Sequence, residues 1–381
     1  MDATAAAAEL VYSASIGDAD MVQRSGARFV NAVVRSVGEL QLEDHRLLAG
    51  RRRKLPTDHR VPPKLRYDHG LTALMAAALG SHSRVVAALQ ELGADPDARN
   101  MQRETALMMA AAKGDGKIVQ QLLEPEAADA AKPSPDLADV HGFTALMKAC
   151  HGGHDEVVAT LSAHGARVDK RDKEGFTALH LAASRGHAHV LRLLLELGAA
   201  TDDRNWSEGA TSLVVASSGG HAEAISALLA GGAAVDLADD FGVTPIALAA
   251  EHGRAQAVTA LLQGKADVDG KVLDGQTPFH LACARGRAEA AAALARAECD
   301  QTTQDNAGRT GLELAEAAGH GRCIREKLEE MEAARLEALA ALRPAARWRR
   351  ARTKLATVRA FAPRLMQTNL LESDEAHAEE K

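Results

Sequence analysis

The stretch Asp172-Lys-Glu-Gly-Phe-Thr-Ala-Leu-His-Leu-Ala-Ala-Ser-Arg-Gly-His-Ala-His-Val190 contains a complete local programme. Gly175 supplies the positive φ that a tight turn needs. Thr177 then caps a helix, its hydroxyl accepting a backbone N–H of the first turn. Leu179, Ala182 and Ala183 give that helix an apolar face, and the small alanines let a neighbouring helix come close. Gly186 stops it. A second helix follows, with Val190, Leu191, Leu194 and Leu195 at core spacing, and Gly198 ends it.

The same programme recurs along the chain. Thr72, Thr105, Thr144, Thr177, Thr211, Thr244, Thr277 and Thr310 stand at intervals of 33, 39, 33, 34, 33, 33 and 33 residues. Each is followed two positions later by a large apolar residue, from Leu74 to Leu312. Self-similarity at this period means that one supersecondary unit is stacked on copies of itself. The helix-stopping glycine recurs nine residues after each threonine, except after Thr72, where Ser81 stands.

Thr177-Ala-Leu-His-Leu-Ala182 and Thr277-Pro-Phe-His-Leu-Ala282 resemble the signature of the ankyrin repeat, Thr-Pro-Leu-His-x-Ala. The resemblance covers about nine units over residues 5–330. It implies an α-class solenoid of helix-turn-helix units joined by short β-hairpins, and a concave groove that binds other proteins. The expected organisation has four parts. Residues 1–31 form a degenerate unit, with Leu10, Ser13, Ala14, Gly17, Asp18, Met21 and Val22 in register. Residues 32–66 form a basic, Pro-containing insert, with a decayed repeat as the alternative. Residues 67–330 are an array of eight units, and residues 331–381 are a helical basic tail. A smaller insert at Glu124 to Pro135 accounts for the 39-residue interval.

Composition narrows the function. Ten aromatics and abundant alanine suit close helix packing, and no apolar run approaches the 18 residues of a membrane span. Residues 1–10 lack the basic start of a secretory signal. Four cysteines without metal spacing point to a reducing compartment, cytoplasmic with the nucleus as second option. Cys150 and Cys283 share one repeat position and read as small buried thiols.

His82, His154, His187, His221 and His320 also share a position. They stack about 8–10 Å apart and cannot converge on one metal, so the expectation is hydrogen bonding inside each repeat and no metal. Gly114-Asp-Gly-Lys117 lacks the spacing of a phosphate loop, and no nucleophile motif occurs. No catalytic residue, cofactor or nucleic-acid partner is expected.

What remains is surface. The hairpin positions carry Tyr67, Phe143, Phe176, Trp206 and Phe241, together with acids that include Asp239 and Asp240. These are the candidate partner-binding residues, and they predict a basic partner surface with apolar anchors. The net charge is −7, but residues 51–66 carry +6 and residues 343–364 carry +8, which leaves −21 for the remainder.

Arg51-Arg-Arg-Lys54 resembles a nuclear-import signal. Pro344 and Pro363 bracket a predicted amphipathic helix with Trp348, Leu355, Val358 and Phe361 on or near its apolar stripe and Arg349, Arg350 and Arg352 among its bases. This segment resembles a calmodulin target. An acidic partner, a membrane surface or the acidic repeat body are the other occupants it fits. The overall reading is a non-catalytic adaptor or scaffold. A calcium/calmodulin-responsive adaptor and a regulatory subunit of a partner enzyme are the alternatives.

Overall fold

The computed structural model describes residues 13–25, 71–126 and 130–338. Tyr67, the 32–66 segment and the tail residues Trp348, Arg349, Arg350, Arg352, Leu355, Val358 and Phe361 lie outside the described residues.

Every threonine of the ladder lies in extended backbone and opens a helix. The first helices are α2 (Ala73–Gly80), α4 (Ala106–Lys113), α6 (Ala145–Gly152), α8 (Ala178–Arg185), α10 (Ser212–Gly219), α12 (Pro245–Glu251), α14 (Pro278–Ala284) and α16 (Gly311–Ala317). Each pairs with a second helix: α3 (Ser83–Glu91), α5 (Gly116–Leu123), α7 (Asp155–Ala163), α9 (Ala188–Glu196), α11 (Ala222–Ala230), α13 (Ala255–Gln263) and α15 (Ala288–Arg296). Ahead of them lies α1 (Ala19–Ser25), and helical residues 321–338 follow α16. First helices pack on first helices and second on second along the whole array. α1 packs directly on α3, which puts residues 19–25 immediately beside the Thr72 unit.

The core is one continuous cluster from Ala14 to Ile324, filled by leucine, valine and alanine. Small side chains on the first helices allow this close approach. Where one unit departs in size, its neighbour compensates. Phe279 replaces the usual leucine and is fully buried. The next unit carries Gly311 opposite it, and a Cβ there would come within 2.7 Å of the Phe279 ring.

The threonine hydroxyls accept from the expected N–H groups, as in Thr72 with Met75 N at 3.2 Å and Thr144 with Met147 N at 3.3 Å. In the two units closest to the repeat signature, histidine adds a forward link. Thr177 N donates to His180 Nδ1 (3.2 Å), so the proton sits on Nε2, which donates to Ala210 O of the following unit at 3.1 Å. Burial lowers the His180 pKa and keeps the ring neutral. His280 makes the same reach to Arg309 O at 3.1 Å.

The second histidine ladder corrects the expectation of bonding inside each repeat. His82, His154, His187 and His221 donate from Nε2 to Ser15 O, Ala112 O, His151 O and Ser184 O of the preceding unit, at 2.9–3.2 Å. Arg254 and Arg287 replace histidine in two units and reach the equivalent carbonyls of Ser218 and Glu251 at 3.2 Å. Each histidine ring, or the aliphatic stem of each arginine, lies over the preceding left-handed glycine. At Gly186 (φ 74°) an added Cβ would sit 2.6 Å from His221. The Ser81 unit departs, and so does its neighbour. Ser81 takes the left-handed conformation (φ 59°), and the unit that follows has Asp115 where the others have His or Arg. Lys113 Nζ takes over instead, donating to Leu79 O and Ser81 Oγ, both at 2.7 Å.

Cys150, Cys283 and Cys299 are buried, and burial pushes the Cys283 and Cys299 thiols up to about 12. Cys323 is exposed.

Candidate functional site

The hairpins between units are closed by main-chain pairs such as Asp172 N to Phe176 O (3.0 Å) and Asp239 N to Val243 O (3.1 Å). An antiparallel bridge joins Arg171 and Thr177. Adjacent hairpins are themselves linked. Val140 N donates to Gln102 O, Lys173 N to His141 O, Trp206 N to Glu174 O, Asp240 N to Glu208 O and Asn306 N to Asp274 O, at 2.9–3.1 Å. From the Asn100 hairpin to the Asp239 hairpin the tips therefore form a hydrogen-bonded row rather than independent loops, whereas among the described residues the Leu273 hairpin is bonded in this way only to the Asn306 hairpin that follows it.

The acids at the base of each hairpin serve the turn. Asp239 Oδ1 accepts from Phe241 N (3.0 Å) and Val243 N (2.8 Å). Asp139, Asp172 and Asp305 do the same in their own units, and Asn205 substitutes in the hairpin that carries the extra residue. Asp239 is thus half-buried and satisfied by the main chain. Asp240 is exposed and pairs with Arg204 at 3.0 Å. Asp139 is further clamped by Lys148 (2.8 Å), which also reaches Glu104 of the preceding hairpin at 2.9 Å. Burial raises the Asp139 carboxyl, but Lys148 and the Phe143 and His141 N–H donors outweigh it and hold the pKa below the usual value.

The candidate aromatics divide by position. Phe143 and Phe176 immediately precede a threonine, on the arm of the hairpin that faces the helices. Both are half-buried and pack against the core. Phe176 stands edge-on to His180 with centroids 5.7 Å apart, and Lys148 lies 5.9 Å from the centre of the Phe143 ring. Trp206 and Phe241 sit farther out, on the tips, and are 66% and 59% exposed. Leu273, which aromatic content could not flag, is 75% exposed on the next tip. Met101 occupies the equivalent place near the other end of the array and is also exposed. The signal that finds all four is offset: each lies three to five residues before its threonine.

Trp206, Phe241 and Leu273 occupy consecutive tips. Trp206 lies against the backbone of Gly175 and Leu273 against that of Gly242, so these two side chains lean on the hairpin before them. Exposed Glu174, Glu208 and Asp274 are interspersed with Lys173 and Lys271. Just beneath the tips, the loops that leave the second helices carry a second acidic row. Asp202, Asp236 and Asp269 each accept a backbone N–H of the following unit, from Ala234, Asp267 and Asp300, at 3.0 Å.

Among the described residues no group of three His, Cys, Asp or Glu side chains is arranged to hold a metal ion, and no helix is long and apolar enough to cross a membrane.

Comparison with known proteins agrees with this architecture. Over 102 residues the chain is 40% identical to the ankyrin repeat and KH domain-containing protein CBG24701 of Caenorhabditis briggsae, and 38% identical to the ankyrin repeat and KH domain-containing protein mask-1 of Caenorhabditis elegans. Each match covers 26% of this chain and only 4% of the relative's length. Among solved structures, the ankyrin repeat domain of human ASB11 is similar with a TM-score of 0.50 and 26% identity, covering 59% of this chain and 98% of that one. The ankyrin repeat domain of Bcl-3 is similar with a TM-score of 0.49 and 28% identity, covering 55% and 93%. A family model for ankyrin repeats matches residues 46–134, 107–205 and 200–271, and a single-repeat model matches residues 274–306. With more than half of its length matched in this way, the chain belongs to the ankyrin repeat family, whose repeats are protein–protein interaction modules.

Proposed function

We propose that the protein is a non-catalytic scaffold that captures a partner protein on its hairpin tips, with Trp206, Phe241 and Leu273 as apolar anchors. The observation that carries this reading is their exposure on three consecutive tips, the Trp206 and Phe241 hairpins being joined by the Asp240 N to Glu208 O bond. Large apolar side chains in water are unfavourable unless a partner covers them, and aromatics at fixed spacing are efficient anchors. The row is already ordered, so binding immobilises little of the scaffold. The flanking carboxylates favour a partner that brings basic residues around an apolar strip. Phe143, Phe176 and Asp239 support the row from behind instead of touching the partner. The four free cysteines suit a reducing compartment.

The test compares proteins captured by the full chain with those captured by the Trp206→Ala/Phe241→Ala variant. The variant keeps its helical circular dichroism and loses its partners. Retention of every partner by a folded variant would overturn the reading.

A further inference from the structure

The path of the chain after the last unit brings a particular occupant to this surface. Helical residues 321–338 run alongside α15, because Lys327 pairs with Glu289 at the start of α15 (2.8 Å) and Arg335 with Glu298 just beyond its end (2.8 Å). Second helices begin at the inter-helix turns and finish at the hairpin end of the solenoid. The chain therefore returns to the hairpin end by residue 338, beside Glu298 and Asp300.

From there an acidic path leads back along the array. Asp300, Asp269, Asp267 and Asp236 follow one another across consecutive loops, and the chain runs on from Asp269 to the tip of Leu273 and from Asp236 to that of Phe241. Residues 343–364 carry eight bases and no acid, and include Trp348, Leu355 and Phe361. Their composition complements the path in both respects, basic against acidic and apolar against apolar. Reach is sufficient. Residues 339–348 span up to about 35 Å when extended, whereas three units of stacking at about 8–10 Å each come to roughly 30 Å.

We infer that residues 343–364 are the resident occupant of the hairpin-tip surface, lying in cis over the acidic loops and the Leu273–Phe241–Trp206 tips, and that a partner must displace them. This builds on the hairpin-tip reading above, but its test involves no partner, so either can fail without the other.

The chain has two tryptophans, which makes Trp206 a usable reporter once Trp348 is replaced. Acrylamide quenching of Trp206 is measured in the full chain carrying Trp348→Phe, and again with Arg349→Glu/Arg350→Glu/Arg352→Glu added. Reversal of three charges releases the segment, and the quenching constant rises about twofold. Raising the salt to about 0.5 M moves the parent chain in the same direction, because exposed charge pairs are screened. A roughly tenfold dilution changes nothing, because contact within one chain is independent of concentration. Equal quenching in the parent and charge-reversed chains would overturn the inference. So would quenching that rises on dilution, which would make the occupant a second copy of the chain. Unchanged far-ultraviolet circular dichroism in both proteins confirms that the comparison is between folded chains.

Discussion

The inter-helix turns and the hairpin tips lie at opposite ends of the same helices, and the two are built on different terms. At the turns, seven successive junctions satisfy the same carbonyl: histidine does so in four, arginine in two and Lys113 in one. The side chain changes while the bond persists, which marks the turns as the part that holds units in register. At the tips main-chain bonds join five pairs of neighbouring hairpins, while the outward side chain varies freely among Met101, Lys173, Trp206, Asp240, Leu273 and Asn306. Variation on a fixed ladder is what a recognition surface requires. The two ends should therefore respond differently to substitution.

The largest loss is expected at a turn. Gly186→Ala forces a β-carbon into left-handed backbone and into the His221 ring, and should lower unfolding free energy by about 3 kcal/mol in a denaturant melt. Gly232→Ala shares the positive φ but has open space around it, so only about 1 kcal/mol is expected. Equal losses at the two glycines would mean that the ring contact is unimportant.

Next comes the base of a hairpin. Asp139→Ala strips the acceptor from two N–H groups and leaves Lys148 half-paired, which should cost about 2 kcal/mol. The same residue gives a pH signature. Its folded pKa is depressed, so its stabilisation is complete above the unfolded carboxylate value of about 3.9 and disappears as pH falls through the lower folded value. Melts between about pH 6 and pH 3 should show a smaller acid loss in Asp139→Asn than in the parent. Parallel curves would remove Asp139 from the account of acid sensitivity.

His221→Ala leaves Ser184 O without its donor and should cost about 1 kcal/mol, partly recovered by water at this half-exposed site. The smallest effect belongs to the tips. Trp206→Ala should change stability by less than about 0.5 kcal/mol, whatever it does to binding. A much larger loss would show that the indole packs as structure and would weaken its case as an anchor.

Much of this was legible in the sequence. The threonine ladder places every first helix, and the glycines nine residues on mark the left-handed stops. What sequence conceals is direction. A histidine ten residues after the threonine announces a role, but not that its ring points back to the preceding unit. Likewise an aromatic in a hairpin is exposed only if it falls on the tip. Phe143 and Phe176 stand one residue before the threonine, where the chain has already turned inward, and Trp206 and Phe241 do not. Asp239 shows the same limit: an acid in a turn has main-chain N–H groups within reach before any partner arrives. Leu273 is invisible to a reading by aromatic content, because exposure is set by position and not by residue class.

The junction between Ser81 and Lys113 has a consequence for how this solenoid can change length. Excising residues 105–143 would join the Thr72 unit to the Thr144 unit at the correct period, and a repeat count alone would call the product well formed. It would also set a serine β-carbon beneath His154, which now lies over Gly114, and remove the lysine that allows Ser81 to stand there. The Phe279 and Gly311 pair imposes the same rule farther along. Neighbouring units in this array carry matched addresses, so their order is written into the interfaces and the modules cannot be shuffled as interchangeable parts.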